Sequence, residues 1–329
     1  MHGWIVIDKP VGPGSTRIVG AVKRALREGG YPKLKVGHGG TLDPLASGVL
    51  PVALGEATKL AGRLLDADKI YEFTIRFGEE TDTLDAEGAV VARSDKRPTR
   101  AELEAVLPRF TGAIEQVPPA YSALKVAGRR AYARARAGEE VALKSRQVTI
   151  HSLTVRAEPV EALSSSFSAD KGEEGPLRRR LRRRSGQAST GSGRTVGEIT
   201  LEARVSKGTY IRSLARDIAR ALDSVGHVTM LRRTKAGPFS LDRAISLDIL
   251  ADAAKGRTLE QHLLPLAAGL DDIPALPVTP DQAGALQQGR KAIGIAAQPG
   301  LHLATADDVP VALVELSEGE LRVVRGFNL

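Results

Sequence analysis

Short apolar stretches separated by turns recur along most of this chain. Residues 69–77 and 199–205 alternate between apolar and polar side chains. A period of two predicts half-buried β-strands, because successive side chains point to opposite faces of a sheet. Continuous apolar runs at residues 4–7 and 49–54 predict buried strands, and residues 148–155 predict another.

In several segments between these strands, apolar residues recur at the spacing of an α-helix. Apolar residues share one face of the segment 18–26, and Ser15 is placed to cap its N-terminus. Residues 211–222 carry a second apolar stripe, and residues 56–65 predict a further helix. The sequence Thr-Arg-Ala-Glu at 99–102 is a capping box, which predicts the start of another helix.

The length of 329 residues favours two domains. Turns and short strands from about residue 271 onward predict a small β-rich C-terminal domain. Residues 158–197 lack apolar periodicity and contain an arginine cluster at 178–184, which predicts a disordered basic insertion.

Composition narrows the class of protein. The net charge of +8 favours a polyanionic partner such as nucleic acid over the alternative of ordinary solubility. The chain has no cysteine, which excludes disulfides and thiolate metal sites, and its six histidines show no metal-ligand spacing. Without a long apolar run or a signal-peptide pattern, the protein is expected to be soluble and cytoplasmic, with no membrane.

The segment 37–51, GHGGTLDPLASGVLP, is the most distinctive in the chain. Its glycines permit sharp turns, and Pro44 disfavours helix at the preceding residue, so Asp43 is presented from an irregular loop. Loops held on a rigid scaffold often carry chemistry. The alternatives are a structural turn in which Asp43 bonds its own backbone and, less well supported, a phosphate-binding glycine loop.

Two further residues stand out against their local pattern. Tyr71 lies on the apolar face of its strand, either as a core aromatic or as a platform on which a planar ligand stacks. Arg212 lies in the first turn of the helix predicted over 211–222, where a cation opposes the helix dipole. We therefore expect Arg212 to serve a local anion.

Seven segments together resemble the bacterial tRNA pseudouridine synthase B family, whose members make pseudouridine at position 55 in the tRNA T-loop. The segments fall in order over most of residues 3–245, and the one around Asp43 is long and specific. They are DKP at 8–10, HGGTLDPLASGVLP at 38–51, GEATK at 55–59, KIY at 69–71, TDTLDAEG at 81–88, PPAYSALK at 118–125 and SKGTYIR at 206–212.

The resemblance implies an α+β fold. Residues 1–250 would form a catalytic domain around a mixed, largely antiparallel sheet with flanking helices, interrupted by the insertion at 158–197. Residues 251–329 would form a linker and a small PUA-like RNA-binding domain, although the likeness is loose there. The implied partner is the T-arm of tRNA, bound by a monomer without metal or cofactor.

The resemblance also implies roles for individual residues. Asp43 is similar to the catalytic aspartate, and Tyr71 to the residue that stacks on the target base. Arg212 is similar to the partner of that carboxylate, and His38 to the histidine that helps hold the flipped-out nucleotide.

Lys9 and Lys207 lie in two of the matching segments and complete the set of candidate substrate-binding or supporting residues. The implied reaction cuts the bond between uracil N1 and ribose, rotates the base and rejoins it through C5. It needs a nucleophile, and an aspartate is ionised at neutral pH without a neighbouring base. The sequence leaves open whether the carboxylate attacks ribose C1′ or uracil C6. Tyr71 is a candidate for the base that removes the C5 proton.

Two other functions remain open from the sequence. A non-catalytic tRNA-binding or tRNA-folding protein could share the fold. A hydrolase of glycosidic bonds typically needs two flanking acids, and the segment around Asp43 offers no second carboxylate.

Overall fold

The computed structural model of the chain describes residues 1–122, 124–126, 128–139, 141, 143–156 and 195–329. The insertion predicted at 158–197 therefore lies outside the described residues, except for its last three positions. In the part of the chain that is described, no helix combines the length and apolar character needed to cross a membrane.

Twenty strands build the described structure. In chain order they are β1 (Gly3–Lys9), β2 (Val36–His38), β3 (Ser47–Leu54), β4 (Lys69–Phe77), β5 (Glu79–Thr81), β6 (Val90–Arg93), β7 (Gly112–Gln116), β8 (Lys125–Val126), β9 (Arg129–Arg130), β10 (Arg146–Val155), β11 (Glu198–Val205), β12 (Gly226–Ala236), β13 (Phe239–Ser240), β14 (Ala244–Ile245), β15 (Leu264–Pro265), β16 (Ala275–Pro277), β17 (Ala292–Ile293), β18 (Gly300–Ala306), β19 (Val309–Ser317) and β20 (Glu320–Gly326).

Seven α-helices accompany them within the described ranges: α1 (Ser15–Glu28), α2 (Arg63–Asp66), α3 (Arg100–Val106), α4 (Ala131–Arg136), α5 (Ile211–Ala221), α6 (Leu247–Lys255) and α7 (Pro280–Gln287). Short 3₁₀ turns occupy Gly55–Lys59, Leu107–Phe110, Leu241–Arg243, Leu259–His262 and Leu266–Gly269.

The large sheet has the strand order β14-β1-β3-β12-β4-β11-β10-β7. Most neighbours are antiparallel, and β3 with β12 and β1 with β14 form parallel pairs. The predicted alternation of β4 is confirmed, because Phe73, Ile75 and Phe77 are buried on one face. This mixed, largely antiparallel sheet confirms the predicted α+β class.

The main core lies between this sheet and the helices that cover it. α1 contributes Ile18 and Val22, and α5 contributes Leu214 and Ile218, all buried against residues of the central strands. The capping box at 99–102 forms as predicted and opens α3. Helix α5 packs against β12 and β4.

A second, five-stranded sheet follows at the C-terminal end, in the order β16-β18-β19-β20-β17. It has its own apolar core, and α7 packs on it. It also joins a second apolar cluster around Trp4, which includes Leu303 and Phe327. The β-rich C-terminal part is therefore confirmed. The predicted boundary at residue 250 falls inside α6, which packs against α1.

Two local predictions were wrong. Ser15 does not cap α1, because Gly14 occupies the N-cap and the Ser15 hydroxyl bonds Leu42 instead. The single helix predicted over 56–65 is a 3₁₀ turn followed by the short α2. Gly55, which starts the 3₁₀ turn, has a φ of 57°, and the N–H of Glu56 donates to His2 Nδ1 over 3.0 Å.

Candidate active site

The loop that carries Asp43 joins β2 to β3. Gly40 has a φ of 124° and Gly48 a φ of 97°, a region that favours glycine, so both ends of the loop need this residue. The backbone N–H of Ala46 donates to the carbonyl of Asp43 over 3.1 Å and closes a turn. Asp43 is thus presented from an irregular loop, as predicted. A short strand, β2, precedes the loop, and β3 rather than a helix follows it.

Side chains from other segments hold this loop by hydrogen bonds to its backbone. The Ser15 hydroxyl accepts from the Leu42 N–H at 2.8 Å and lies 3.1 Å from the Leu42 carbonyl. The Lys9 ammonium group donates to the carbonyls of Pro44, at 3.3 Å, and Ala46. These contacts turn loop carbonyls toward the protein interior.

The carboxylate of Asp43 meets the guanidinium of Arg212. Arg212 Nη2 donates to Asp43 Oδ2 over 2.8 Å. The Arg212 side chain is only 6% exposed, whereas that of Asp43 is 43% exposed. Asp43 therefore pairs with a buried cation and still presents an open side to solvent. Among the described residues, its carboxylate accepts nothing from its own loop backbone, so the self-bonded turn was the wrong interpretation.

The other side of the same guanidinium is held by Asp85. Arg212 Nη1 donates to Asp85 Oδ2 over 2.9 Å and to the Thr83 carbonyl over 2.8 Å, and Nη2 also reaches the Tyr121 carbonyl at 2.9 Å. The Asp85 side chain is 5% exposed and also accepts from the Thr83 hydroxyl and the Glu87 N–H. Asp85 is thus a buried counter-ion that orients Arg212, without access to a ligand.

Asp43 opens into a cavity of about 170 Å³. Tyr71, Leu231 and Tyr210 line it together with Arg212, so the cavity joins one carboxylate, one guanidinium and two aromatic side chains. Tyr71 is partly buried, and the cavity places its side chain beside the Asp43 loop. The structure therefore brings three of the predicted site residues, Asp43, Tyr71 and Arg212, to one place.

Tyr210 is held in this cavity by a buried amide. The Gln116 side chain accepts from the Tyr210 N–H at 2.8 Å and donates to its carbonyl at 3.1 Å. The Arg146 guanidinium lies 4.7 Å from the centre of the Tyr210 ring. Tyr210 is the N-cap of α5, and Arg212 lies in the first turn of that helix. The contacts that hold Tyr210 therefore also position Arg212 relative to Asp43.

His38 is placed at the end of β2, and it does not line the cavity. Burial, reinforced by the nearby Arg233 guanidinium, lowers the pKa of His38 below its ordinary value of 6.5. The imidazole is therefore neutral at pH 7. Its Nδ1 atom is buried and has no partner within the described part of the chain.

The two candidate lysines occupy opposite environments. Lys9 is fully buried, and its ammonium group donates to the carbonyls of Pro10 and Pro44. Lys9 therefore supports the Asp43 loop and does not contact a ligand. Burial, partly offset by the Asp43 carboxylate, lowers the pKa of Lys9 from 10.5 to about 8. Lys207 is 65% exposed and pairs with Asp66 at 3.0 Å, outside the cavity lining.

Sequence reasoning assigned no role to Asp85, Gln116, Tyr210 or Arg233, all of which contact the site or its loop. Asp85 carried a signal, because it belongs to the segment 81–88 quoted for the resemblance. Arg233 carried a weaker one, as a charged residue in a segment that follows the apolar Leu231. Gln116 had none, since its partner lies 94 positions away.

The arrangement can place a planar group against an aromatic ring and an electrophilic atom against a half-exposed carboxylate. The described residues contain no cluster of three or more histidine, aspartate or glutamate side chains suited to a metal ion. The chemistry that this geometry supports is nucleophilic attack by Asp43, with Arg212 holding the carboxylate in place.

Family models match two parts of the chain. The TruB family pseudouridylate synthase (N terminal domain) matches residues 24–174, and the tRNA pseudouridylate synthase B C-terminal domain matches residues 212–271.

Relatives named tRNA pseudouridine synthase B match the full chain. The protein from Zymomonas mobilis is 56% identical, and the alignment covers 96% of its length and all of this chain. The protein from Novosphingobium aromaticivorans is 58% identical, and the alignment covers 98% of its length and all of this chain. Among solved structures, a chain of an H/ACA RNP bound to a substrate RNA containing 2′-deoxyuridine aligns with a TM-score of 0.66 at 24% identity, covering 99% of this chain and 85% of that one. A Cbf5-Nop10-Gar1 complex gives the same TM-score and identity, with 99% and 84% covered. At this identity, the solved structures support the fold alone.

Proposed function

This chain belongs to the TruB family of pseudouridylate synthases, and we propose that it converts uridine 55 in the T-loop of tRNA to pseudouridine with Asp43 as the nucleophile. Its full-length relatives at 56% and 58% identity carry the name tRNA pseudouridine synthase B, which makes the chain a tRNA pseudouridine synthase. The choice of uridine 55 and the role of Asp43 are the finer parts of the proposal.

One observation carries the assignment of Asp43. Its carboxylate is half-exposed in a cavity and is held at 2.8 Å by Arg212, which is itself buried and anchored by Asp85. A preorganised carboxylate next to open space is what a nucleophile needs, since no reorganisation is required when the substrate arrives. Asp85 has no comparable access, which also argues against a two-acid glycosidase.

Tyr71 would receive the target base. A uridine inside folded RNA must leave its stack before the enzyme can reach it, which costs a few kcal/mol. Stacking on an aromatic side chain returns roughly 1–3 kcal/mol per base. Tyr71 lines the same cavity as Asp43, so a base stacked there would bring its ribose close to the carboxylate.

The reaction is an isomerisation in which atoms and electrons balance. The N1–C1′ bond breaks, the base rotates, a C5–C1′ bond forms, and the C5 proton leaves while N1 takes up a proton. Asp43 would bond transiently either to ribose C1′ or to uracil C6 and would be released at the end. Arg212 would hold the carboxylate in both routes, and no oxidant or group donor is consumed.

The remaining elements of the proposal concern the partner and the setting. We infer that the T-arm of tRNA binds across the cavity and that His38 and Lys207 contact it near the target nucleotide. The five-stranded C-terminal sheet would act as a small RNA-binding domain covering part of residues 251–329. The enzyme would work as a monomer in the cytoplasm.

Release of tritium tests the function. Unmodified tRNA labelled with tritium at uracil C5 is incubated with the wild type and with Asp43→Asn, and a second transcript carries cytidine in place of uridine 55. We expect wild type to release tritium only from the first transcript, and Asp43→Asn to bind it without release.

Each other outcome has a defined meaning. Release by Asp43→Asn at the wild-type rate would remove Asp43 as the nucleophile. Release from the transcript that lacks uridine 55 would overturn the choice of that position. Tight binding without release by either protein would favour the non-catalytic tRNA-folding function, and free uracil in the supernatant would favour hydrolysis.

A further inference from the structure

Arg233 is among the largest fully buried side chains of the described structure, with 1% of its surface exposed. Its guanidinium donates through Nε to the Val49 carbonyl at 2.8 Å and through Nη2 to the Gly40 carbonyl at 3.2 Å, and Nη1 lies 3.5 Å from the Thr41 carbonyl. These acceptors lie at the two ends of the loop that carries Asp43. One side chain thus spans the base of that loop.

The partners of Arg233 are unusual for a buried charge. Within the described ranges, no carboxylate lies within ion-pair distance of it, and its acceptors are backbone carbonyls. Lys9, also buried, donates to other carbonyls of the same loop. Burying a cation without a counter-ion costs free energy, so general stability alone does not account for an arginine at this position.

The backbone of Arg233 links the same loop to Tyr71. In β12, Arg233 is in register with Tyr71 of β4 on one side and with Gly48 of β3 on the other. A single residue therefore connects the strand that carries the stacking aromatic to the loop that carries the carboxylate. Its side chain then fixes the far end of that loop.

The two loop glycines agree with this arrangement. A Cβ on Gly48 would lie 2.2 Å from the Arg233 carbonyl oxygen, so only glycine permits the two strands to approach. A Cβ on Gly40 would lie 3.5 Å from Arg233 Nη1, at a φ of 124° that strains any other residue. Close contact with Arg233 therefore accounts for glycine at position 48, and the positive φ accounts for glycine at position 40.

We propose that Arg233 is a positioning residue that sets the distance between Asp43 and Tyr71 by closing the base of the Asp43 loop. It touches neither substrate nor reacting atoms, since it is fully buried. The proposal rests on the proposed function, because the spacing it controls matters only if Asp43 attacks a base or ribose seated on Tyr71.

Arg233→Lys is the central test, because lysine keeps the charge but its single ammonium group cannot bond both ends of the loop at once. Single-turnover tritium release at saturating tRNA is measured together with the Kd for tRNA and the Tm. A displacement of a catalytic group by about 1 Å costs roughly 100-fold in rate. We expect a rate loss of about that size, with the Kd for tRNA unchanged within experimental error.

Arg232→Lys is the matched control. It makes the same replacement one position away, where the partly exposed side chain pairs with Asp8 at 2.8 Å and reaches Ser47 Oγ at 3.4 Å, and a lysine can keep the pair with Asp8. We expect its single-turnover rate to equal that of wild type. A wild-type rate for Arg233→Lys would overturn the proposal, as would a loss that appears only in Kd.

Two further results distinguish failure of the positioning role from failure of the proposed function and from misfolding of the variant. If wild type releases no tritium, the proposed function fails, whereas a normal wild type and an unaffected Arg233→Lys defeat only the positioning role. If Arg233→Lys does not fold, Gly40→Ala strains the end of the loop whose carbonyl Arg233 holds, because a φ of 124° disfavours any residue but glycine, and it should show a loss of rate at unchanged Kd. A wild-type rate for Gly40→Ala would then overturn the proposal.

Discussion

Arg212 donates a hydrogen bond to Asp43 over 2.8 Å, although the two residues lie 169 positions apart. The guanidinium is buried and the carboxylate is half-exposed, so the pair forms the wall of the cavity rather than a surface ion pair. Asp85 holds the opposite side of the guanidinium. The site is therefore a three-residue network in which Asp43 and Arg212 line the cavity and the buried Asp85 anchors Arg212.

Arg212→Met separates the structural and catalytic parts of this network. Removing one partner of a buried pair costs about 3–5 kcal/mol of the free energy of unfolding, here because Asp85 is left unpaired. Turnover should fall by at least about 100-fold, the usual effect of losing one preorganised donor. Denaturant unfolding and tritium release measure the two effects.

The double variant Arg212→Met/Asp85→Asn is the control for stability. It removes the unpaired buried charge and should regain part of the lost free energy of unfolding. It should not regain turnover, because Asp43 still lacks its partner. Recovery of wild-type turnover would show that Arg212→Met loses activity only because Asp85 is left unpaired, and that Asp43 does not need Arg212.

Tyr71→Phe and Tyr71→Ala divide the roles of ring and hydroxyl. Phenylalanine keeps the ring, so the Kd for tRNA should not change, whereas alanine should weaken binding by roughly 1–3 kcal/mol. If the hydroxyl removes the C5 proton, Tyr71→Phe should bind tRNA and lose tritium release. Normal release would exclude the hydroxyl as the base. Tyr132→Phe, on the exposed side of α4, serves as the matched control.

The buried Lys9 should make stability rise with pH. Burial lowers its pKa from 10.5 to about 8, so between these values the unfolded chain binds more protons than the folded one. The stabilising contribution is complete above pH 10.5 and is lost as the pH falls through 8. Each pKa unit corresponds to about 1.4 kcal/mol, so the gain amounts to about 3 kcal/mol at most.

Lys9→Met should lose this part of the pH dependence. Free energies of unfolding are measured across that interval for wild type, Lys9→Met and, as a control, Lys207→Met at an exposed position. We expect Lys207→Met to follow wild type and Lys9→Met to give a flatter curve. Parallel curves for wild type and Lys9→Met would contradict the assignment of the shift to Lys9.

Lys207 is suited to a phosphate contact, since it is exposed close to the first turn of α5. If it binds one phosphate, Lys207→Met should weaken tRNA binding and reduce the slope of log Kd against log salt by about 1. Asp66→Asn, which frees Lys207 from its ion pair, should leave that slope unchanged or steeper. An unaltered slope for Lys207→Met would exclude the contact.

Local features of the fold followed from the sequence alone. The alternation around Tyr71 produced β4, the capping box opened α3, and the glycines and Pro44 kept Asp43 out of regular structure. Each depends on a few neighbouring residues, whose sterics and periodicity act whatever the rest of the chain does.

Predictions from local sequence were wrong where a residue distant in the chain made a competing contact. Ser15 has the chemistry of a helix cap, but its hydroxyl bonds Leu42, and the segment 56–65 begins as a 3₁₀ turn in which the Glu56 N–H donates to His2. In both cases the competing contact comes from a residue that local periodicity does not contain.

The site shows the same division. The sequence by itself determined that Asp43 would lie on a shaped loop, that Tyr71 would lie on the apolar face of a strand, and that Arg212 would seek an anion. Only the tertiary structure decided that Asp43 is that anion, that Asp85 anchors the guanidinium, and that Arg233 closes the loop. The physical reason is that strand order and register set these contacts. Placing β12 between β3 and β4 brings the three segments together, and no local pattern encodes that order.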